Sequence, residues 1–241
     1  MEDWHNSEFA RKWDSDTVSY NPTRLAQLDI LLTILADEYR EGTTILDVGM
    51  GSGRVEEMLF ERIPNATLVG TDFSEPMLEL AGKRLQSYRG RYETVRQDLT
   101  RASEAILPQR EYAIAFSVQV IHNVPHPHKK ETFAFIKRAL APGGLFLLLD
   151  RIRISTPGLF PAYSSMWRRL DRASGNNSTV HRREGDTFEA HERSVSTRGD
   201  QPATLEEHLQ WLREAGFAEA ACLDLHGNRA LFAARKRGRE W

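Results

Sequence analysis

The chain has 241 residues, 40% of them apolar and 27% charged, with a formal net charge of −2. That size and composition suit one globular domain with a sizeable core and exclude a disordered or fibrous chain. The near-neutral balance lacks the basic footprint of a nucleic-acid-binding domain, and no apolar run approaches the roughly 20 residues that span a bilayer.

The N-terminus, Met1-Glu2-Asp3-Trp4-His5, has neither the basic nor the apolar region of a secretory leader. A soluble, cytoplasmic chain is expected, folded as one domain over 1–241. An N-terminal helical cap is expected over 1–40, where Leu25, Leu28, Leu32, Leu35 and Tyr39 recur at helical spacing. Thr44-Ile45-Leu46-Asp47-Val48 reads as a short buried strand that stops at Gly49, and Val55, Met58, Leu59 and Ile63 restore helical spacing. Residues 67–71 form a second strand. Ser74 is a candidate N-cap with Glu75 and Pro76 in the first turn, and Met77, Leu78, Ala81, Leu85 and Tyr88 supply the buried face of that helix. Further strands are expected at 92–96 and 112–117. A helix carrying Phe133, Ile136 and Leu140 ends before Pro142-Gly143-Gly144, and Leu145–Leu149 is apolar throughout, as a central parallel strand is.

Residues 155–203 break this rhythm. Phe160, Tyr163, Trp167 and Leu170 mark one amphipathic helix, and Ser174 to Pro202 is polar with both charges closely mixed. His181 and His191 read there as solvated. A segment this long inside a domain points to a lid, expected over 155–201. Thr204 and Glu207 have capping-box spacing. Strands near 217–224 and 229–234 follow, joined tightly at Gly227-Asn228 and therefore antiparallel. Cys222, the single cysteine, reads as a small core residue, and 235–239 reads as a solvated tail. Five strand–helix units followed by a hairpin predict an α/β fold: a seven-stranded sheet of order 3-2-1-4-5-7-6, helices on both faces, parallel except for one strand at the C-terminal edge.

The segment Asp47-Val48-Gly49-Met50-Gly51-Ser52-Gly53 joins the first strand to a helix. Glycines there permit positive φ and close approach of backbone to a ligand. The spacing GxGxG differs from the GxGxxG that seats a dinucleotide pyrophosphate. Asp47 would repel a pyrophosphate but suits a ligand carrying an ammonium group. Asp72 ends the second strand, where an acid can accept from both hydroxyls of a ribose, and Asp98 ends the third, where it either reaches an adenine amino group or caps the segment after it.

With these residues in this order, the sequence resembles the class I S-adenosylmethionine-dependent methyltransferases of small-molecule type. The matching stretches are 45–53, 69–80, Gln97-Asp98-Leu99 and 140–150, with likeness again from 202 to 236. The resemblance implies a Rossmann-like methyltransferase sheet and S-adenosyl-L-methionine as cofactor. It implies that Asp47, Gly49, Gly51 and Gly53 hold the methionine end, Asp72, Phe73 and Met77 the ribose and adenine edge, Asp98 and Leu99 the adenine, with Ser117 under the cofactor. Met50 departs from the Cys or small residue common in the family.

The acceptor is expected at the carboxyl ends of the fourth and fifth strands. Candidate contacts are Tyr20, His122, Asn123, Arg151, Tyr163 and Trp167. His122 is the candidate general base, since its ordinary pKa lies near working pH; a structural or substrate-contacting histidine is the alternative. No metal is expected: Pro125 and Pro127 interrupt the three histidines 122, 126 and 128, and no cysteine or carboxylate joins them at ligand spacing. The expected activity is methyl transfer to a small molecule, by a monomer or homodimer without a membrane or nucleic-acid partner. The alternatives are an RNA-modifying methyltransferase, a cofactor-binding protein without turnover and, disfavoured by glycine spacing and Asp47, a nicotinamide-dependent oxidoreductase.

Overall fold

The computed structural model describes residues 3–16, 23–109, 111–174 and 180–238. Seven strands, β1 (Thr44–Val48), β2 (Thr67–Asp72), β3 (Tyr92–Arg96), β4 (Tyr112–Val118), β5 (Leu140–Arg151), β6 (Glu219–His226) and β7 (Arg229–Arg235), form one sheet of order β3-β2-β1-β4-β5-β7-β6. The pairs of β1 with β2 and β4, of β2 with β3 and of β4 with β5 are parallel. β7 runs antiparallel to both β5 and β6. The odd strand is thus one place in from the edge, not at it as expected. Composition explains the exchange. Ala230, Leu231 and Phe232 of β7 are wholly buried, whereas β6 alternates exposed and half-buried positions and leaves Leu223 and Leu225 half out. The strand that is buried along most of its length takes the two-sided interior position.

The helices are α1 (Ser7–Asp16), α2 (Arg24–Glu38), α3 (Arg54–Arg62), α4 (Glu75–Arg84), α5 (His126–Ala139), α6 (Phe160–Ala173), α7 (Val180–Glu184), α8 (Phe188–Arg198) and α9 (Leu205–Glu214). One core, with Phe133, Ile136, Leu212 and Phe217, lies on one face of the sheet; a second, with Leu28, Leu32, Leu59 and Phe60, lies on the other. The expected caps form. Ser74 Oγ accepts from the Met77 N–H at 3.3 Å, and Thr204 and Glu207 cap each other reciprocally. The register of α2 differs from the expected stripe: Leu25 is 54% exposed, and Arg24, Gln27 and Leu31 share the buried face with Leu28, Leu32 and Leu35. The first turn of α2 runs over a cavity, and it turns Arg24 inward instead of a leucine. The expected tail is also partly tied down: Arg235 pairs with Glu38 at 2.7 Å, and Lys236 Nζ donates to the Leu140 carbonyl.

The insertion is helical, formed by α6, α7 and α8 around a small core of Ile154, Phe160, Trp167 and Val180. His191 is buried, not solvated, and stacks on Trp167 with centroids 5.7 Å apart. The mixed charges pair across the junction with the sheet. Glu184, wholly buried, meets Arg229 at 3.1 Å and Arg151 at 3.3 Å, while Asp200 meets Arg151 at 3.2 Å and Arg198 at 2.9 Å. Burial pushes the Glu184 carboxyl up, but the charges of Arg151 and Arg229 outweigh it and hold the group well below its ordinary value. Glu184→Gln should therefore cost about 3–5 kcal/mol, the scale for breaking a buried pair, measured by denaturant unfolding. Because the folded pKa is depressed, the stabilisation is present above the ordinary value of 4.5 and disappears as pH falls through the folded value. A variant as stable as the parent protein at pH 7, and equally sensitive to acid, would show that the network does not hold the insertion.

Candidate active site

A cavity of about 450 Å³ opens over the carboxyl ends of β1, β2 and β4. The glycine turn builds its wall. Gly49, Gly51 and Gly53 all have positive φ. The Gly49 and Met50 N–H groups both donate to the Thr71 carbonyl at 2.8 Å, which folds the turn back over β2. A Cβ on Gly49 would lie 2.4 Å from a methyl of Val120, whereas one on Gly51 would meet nothing within 4 Å. Gly70 gives room to Met50, whose sulfur lies 2.4 Å from where a Gly70 Cβ would stand. Asp72 clamps the turn to α4: one carboxylate oxygen accepts from the Gly51 N–H at 2.9 Å, the other from the Ser74 N–H at 2.8 Å. α1 closes the outside through Asp14, which accepts from Ser52 Oγ at 2.5 Å and from Arg84 at 2.8 Å.

The cavity wall carries ionisable groups of both signs that have no counter-charge in the ligand-free chain among the described residues. Asp47 lines it and is buried, and the wholly buried Glu56 stands behind it within hydrogen-bond reach, neither carboxyl forming an ion pair among the described residues. Burial, then Glu56, raises Asp47 well above its ordinary value; burial likewise raises Glu56, the two carboxyls acting as a pair. Arg24 lines the same cavity, 8% exposed, with Nε unbonded and no carboxylate partner among the described residues. Burial, then the charge of Arg54, lowers Arg24 to about 10. Burial raises Asp72, against the pull of its backbone donors. A buried charge without a counter-charge is costly, so this arrangement suits a ligand that brings a cation to Asp47 and an anion to Arg24.

The expected residues divide into two groups. Asp47, Gly49, Gly51, Asp72, Phe73, Met77, Asp98, Leu99 and Asn123 line the cavity. Asp98 also caps the segment after it, its Oδ1 accepting from the Thr100 N–H at 2.8 Å. Gly53 turns the chain into α3 as its N-cap residue. Ser117 lies beneath the surface and donates to the Val48 carbonyl at 2.6 Å. His122, Arg151, Tyr163 and Trp167 are not on the wall. Arg151 is consumed by its ion pairs, and Trp167 is buried inside the insertion. The insertion reaches the cavity instead through Arg198, Gly199 and Gln201. Tyr20 lies outside the described residues. The imidazole of His122 is held by Asp150, Nδ1 to Oδ1 at 2.5 Å, and its N–H donates to the other oxygen at 2.8 Å. Burial pushes Asp150 up, but the opposing influence of His122 leaves its carboxyl below the ordinary value. The same turn is anchored from behind by the buried Lys129, whose ammonium donates to the Ile121 carbonyl. Arg24, Glu56 and Arg198 were not singled out in the sequence; Arg24 alone left a signal, as a cation beginning an apolar helical stripe.

Residues 45–144 match the model of the methyltransferase domain family. Within that range the chain is similar to a methyltransferase domain. Trans-aconitate 2-methyltransferase of Acidovorax sp. (strain JS42) is 35% identical over 101 residues, 42% of this chain and 35% of that protein, so the chain spans about a third of that relative's length. Carboxy-S-adenosyl-L-methionine synthase of Nautilia profundicola is 24% identical over 218 residues, covering 87% of this chain and 82% of that one. An O-methyltransferase family protein from Burkholderia thailandensis shares the fold with a TM-score of 0.70 at 15% identity, over 98% of this chain and 62% of that one. The matched range contains the glycine turn and the β4 end, while the insertion lies outside it.

Gly49→Ala should cost about 2–4 kcal/mol, from left-handed strain and overlap with Val120, and Gly51→Ala only about 1–2 kcal/mol, from the strain alone. Denaturant midpoints of the two variants test the difference; equal costs would contradict the packing described for the turn.

Proposed function

We propose that this chain binds S-adenosyl-L-methionine in the cavity and transfers its methyl group to a small molecule held beside the β4 end. The observation that carries the reading is the pair of ionisable groups of opposite sign, Asp47 and Arg24, with no counter-charge among the described residues, on the wall of one pocket. They fit the ammonium and carboxylate of an amino acid, while Asp72, with lone pairs left beyond its two backbone bonds, fits ribose hydroxyls. Phe73, Met77 and Leu99 offer an apolar bed for adenine beside Asp98. The names of the two relatives support a small-molecule acceptor. The bound cofactor supplies a methyl carbon on a positive sulfur, open to in-line displacement. The protein's own contribution is alignment and exclusion of water, and positioning of this kind is worth about 7–11 kcal/mol.

Titration with S-adenosylhomocysteine and with adenosine tests the assignment. Asp72→Ala should weaken both by about 1.5–3 kcal/mol, the scale of hydrogen bonds to a charged group. Arg24→Gln should weaken the homocysteine compound by a similar amount and leave adenosine unchanged. If Arg24→Gln weakened both alike, Arg24 would not face the amino-acid end.

The raised pKa of Asp47 adds a pH dependence. Burial and the neighbouring Glu56 disfavour the Asp47 carboxylate in the ligand-free protein, and an ammonium needs the carboxylate. Affinity for S-adenosylhomocysteine should therefore rise as pH climbs from the ordinary carboxylate value of 3.8 toward neutrality, with proton release on binding. In Glu56→Gln the rise should move to lower pH. Calorimetry in buffers of different ionisation heat reads the proton directly; no release at any pH would remove Asp47 from contact with the ammonium.

His122 lies off the cavity wall with its ring held by Asp150, so it positions the turn that carries Asn123. His122→Gln should leave binding of S-adenosylhomocysteine and the pH profile of turnover unchanged; loss of turnover with binding intact would instead make the ring the base that takes the acceptor's proton.

A further inference from the structure

The acceptor half of the cavity has a charge of its own. Sheet order separates the two halves: Asp47, Asp72 and Asp98, the acids on the cavity wall among the described residues, stand on β1, β2 and after β3. Across β1, the polar part of the wall beyond β4 is made by Gln119, Asn123 and the strap Arg198–Gly199–Gln201, beside Val120 and Val124. The strap is held over the β4 and β5 ends by the Gln201 N–H, which donates to the His122 carbonyl at 2.7 Å, and by the Asp200–Arg151 pair. That half offers amides and one cation, and no carboxylate lines it among the described residues.

Arg198 is fixed rather than free. It is the last residue of α8, and Gly199 follows in the left-handed conformation that ends the helix. Its Nε donates to Asp200 at 2.9 Å and one terminal nitrogen donates to Ser194 Oγ at 2.6 Å. The other terminal nitrogen is buried and has no partner. Nor is the charge balanced locally, because Arg151, Arg198 and Arg229 share the two carboxylates of Glu184 and Asp200. Gln119 adds to the same wall from a left-handed backbone, φ 58, conformational strain of the kind kept at binding sites. An oriented guanidinium with an unused donor, one surplus charge and amide groups around it is the chemistry that recognises a carboxylate.

We propose that the methyl acceptor carries a carboxylate and that Arg198 is the residue that binds it. This rests on the assignment of the cofactor to the other half of the cavity, and it gives the insertion a role in specificity: α8 carries the selecting group to the pocket.

Protein saturated with S-adenosylhomocysteine is titrated with 4-hydroxybenzoate, malonate and trans-aconitate, each beside its neutral primary amide. At least one acid should bind about ten-fold or more tightly than its amide, the scale of a charge-assisted hydrogen bond. Arg198→Gln should erase that preference and leave affinity for S-adenosylhomocysteine unchanged. Arg198→Lys, which keeps the charge but loses the planar fork, should retain part of it and shows that the loss is not one of folding. The proposal is overturned if no acid is preferred over its amide, or if the preference survives in Arg198→Gln. If S-adenosylhomocysteine itself does not bind, the cofactor assignment fails separately, and the same comparison on ligand-free protein still decides whether Arg198 selects carboxylates.

Discussion

Two backbone N–H groups, those of Gly49 and Met50, converge on the carbonyl oxygen of Thr71. That crossing bends the chain sharply after β1 and points the next peptide N–H, at Gly51, toward Asp72. Asp72 in turn holds the start of α4 through Ser74. The requirements converge on a few side chains: no Cβ at 49, where Val120 stands, and none at 70, where Met50 packs. Met50 and Gly70 thus form a matched pair, so the departure from a small residue at position 50 is absorbed within the sheet and leaves the cavity wall intact.

The scaffold was legible because each of its parts is a local signal. A glycine turn between a buried strand and a helix, an acid at a strand end, Ser74 before Pro76 and Thr204 before Glu207 each act over a few residues, and all form. What the sequence obscured depends on contacts between distant residues. Leu25 fits the periodic stripe as well as Leu28, yet the cavity beneath the first turn of α2 turns Arg24 inward. Glu56 is one of two adjacent glutamates on α3, and only its position behind Asp47 distinguishes it from Glu57. Trp167 has the size and placement of an aromatic contact, but it is spent on the core of the insertion.

The two halves of the cavity are built differently. The cofactor half is made by strand ends and the turns that follow them, backed by two apolar cores. The acceptor half borrows its wall from the insertion, whose hold on the sheet is largely ionic. Replacing the second wall leaves the first intact, which is how one scaffold supports varied chemistry through its attached segments.

The ionic attachment has a thermal consequence. Apolar packing and buried ion pairs respond differently to heat: the hydration lost by charged groups becomes less favourable as temperature rises, so the penalty for burying them falls. The cost of burying Glu184 and Asp200 against Arg151 and Arg229 should therefore fall with heat while apolar burial levels off, so the ionic seam gains relative to the cores on warming. On cooling that cost rises again, so the seam between insertion and sheet should be tighter in the warm than in the cold.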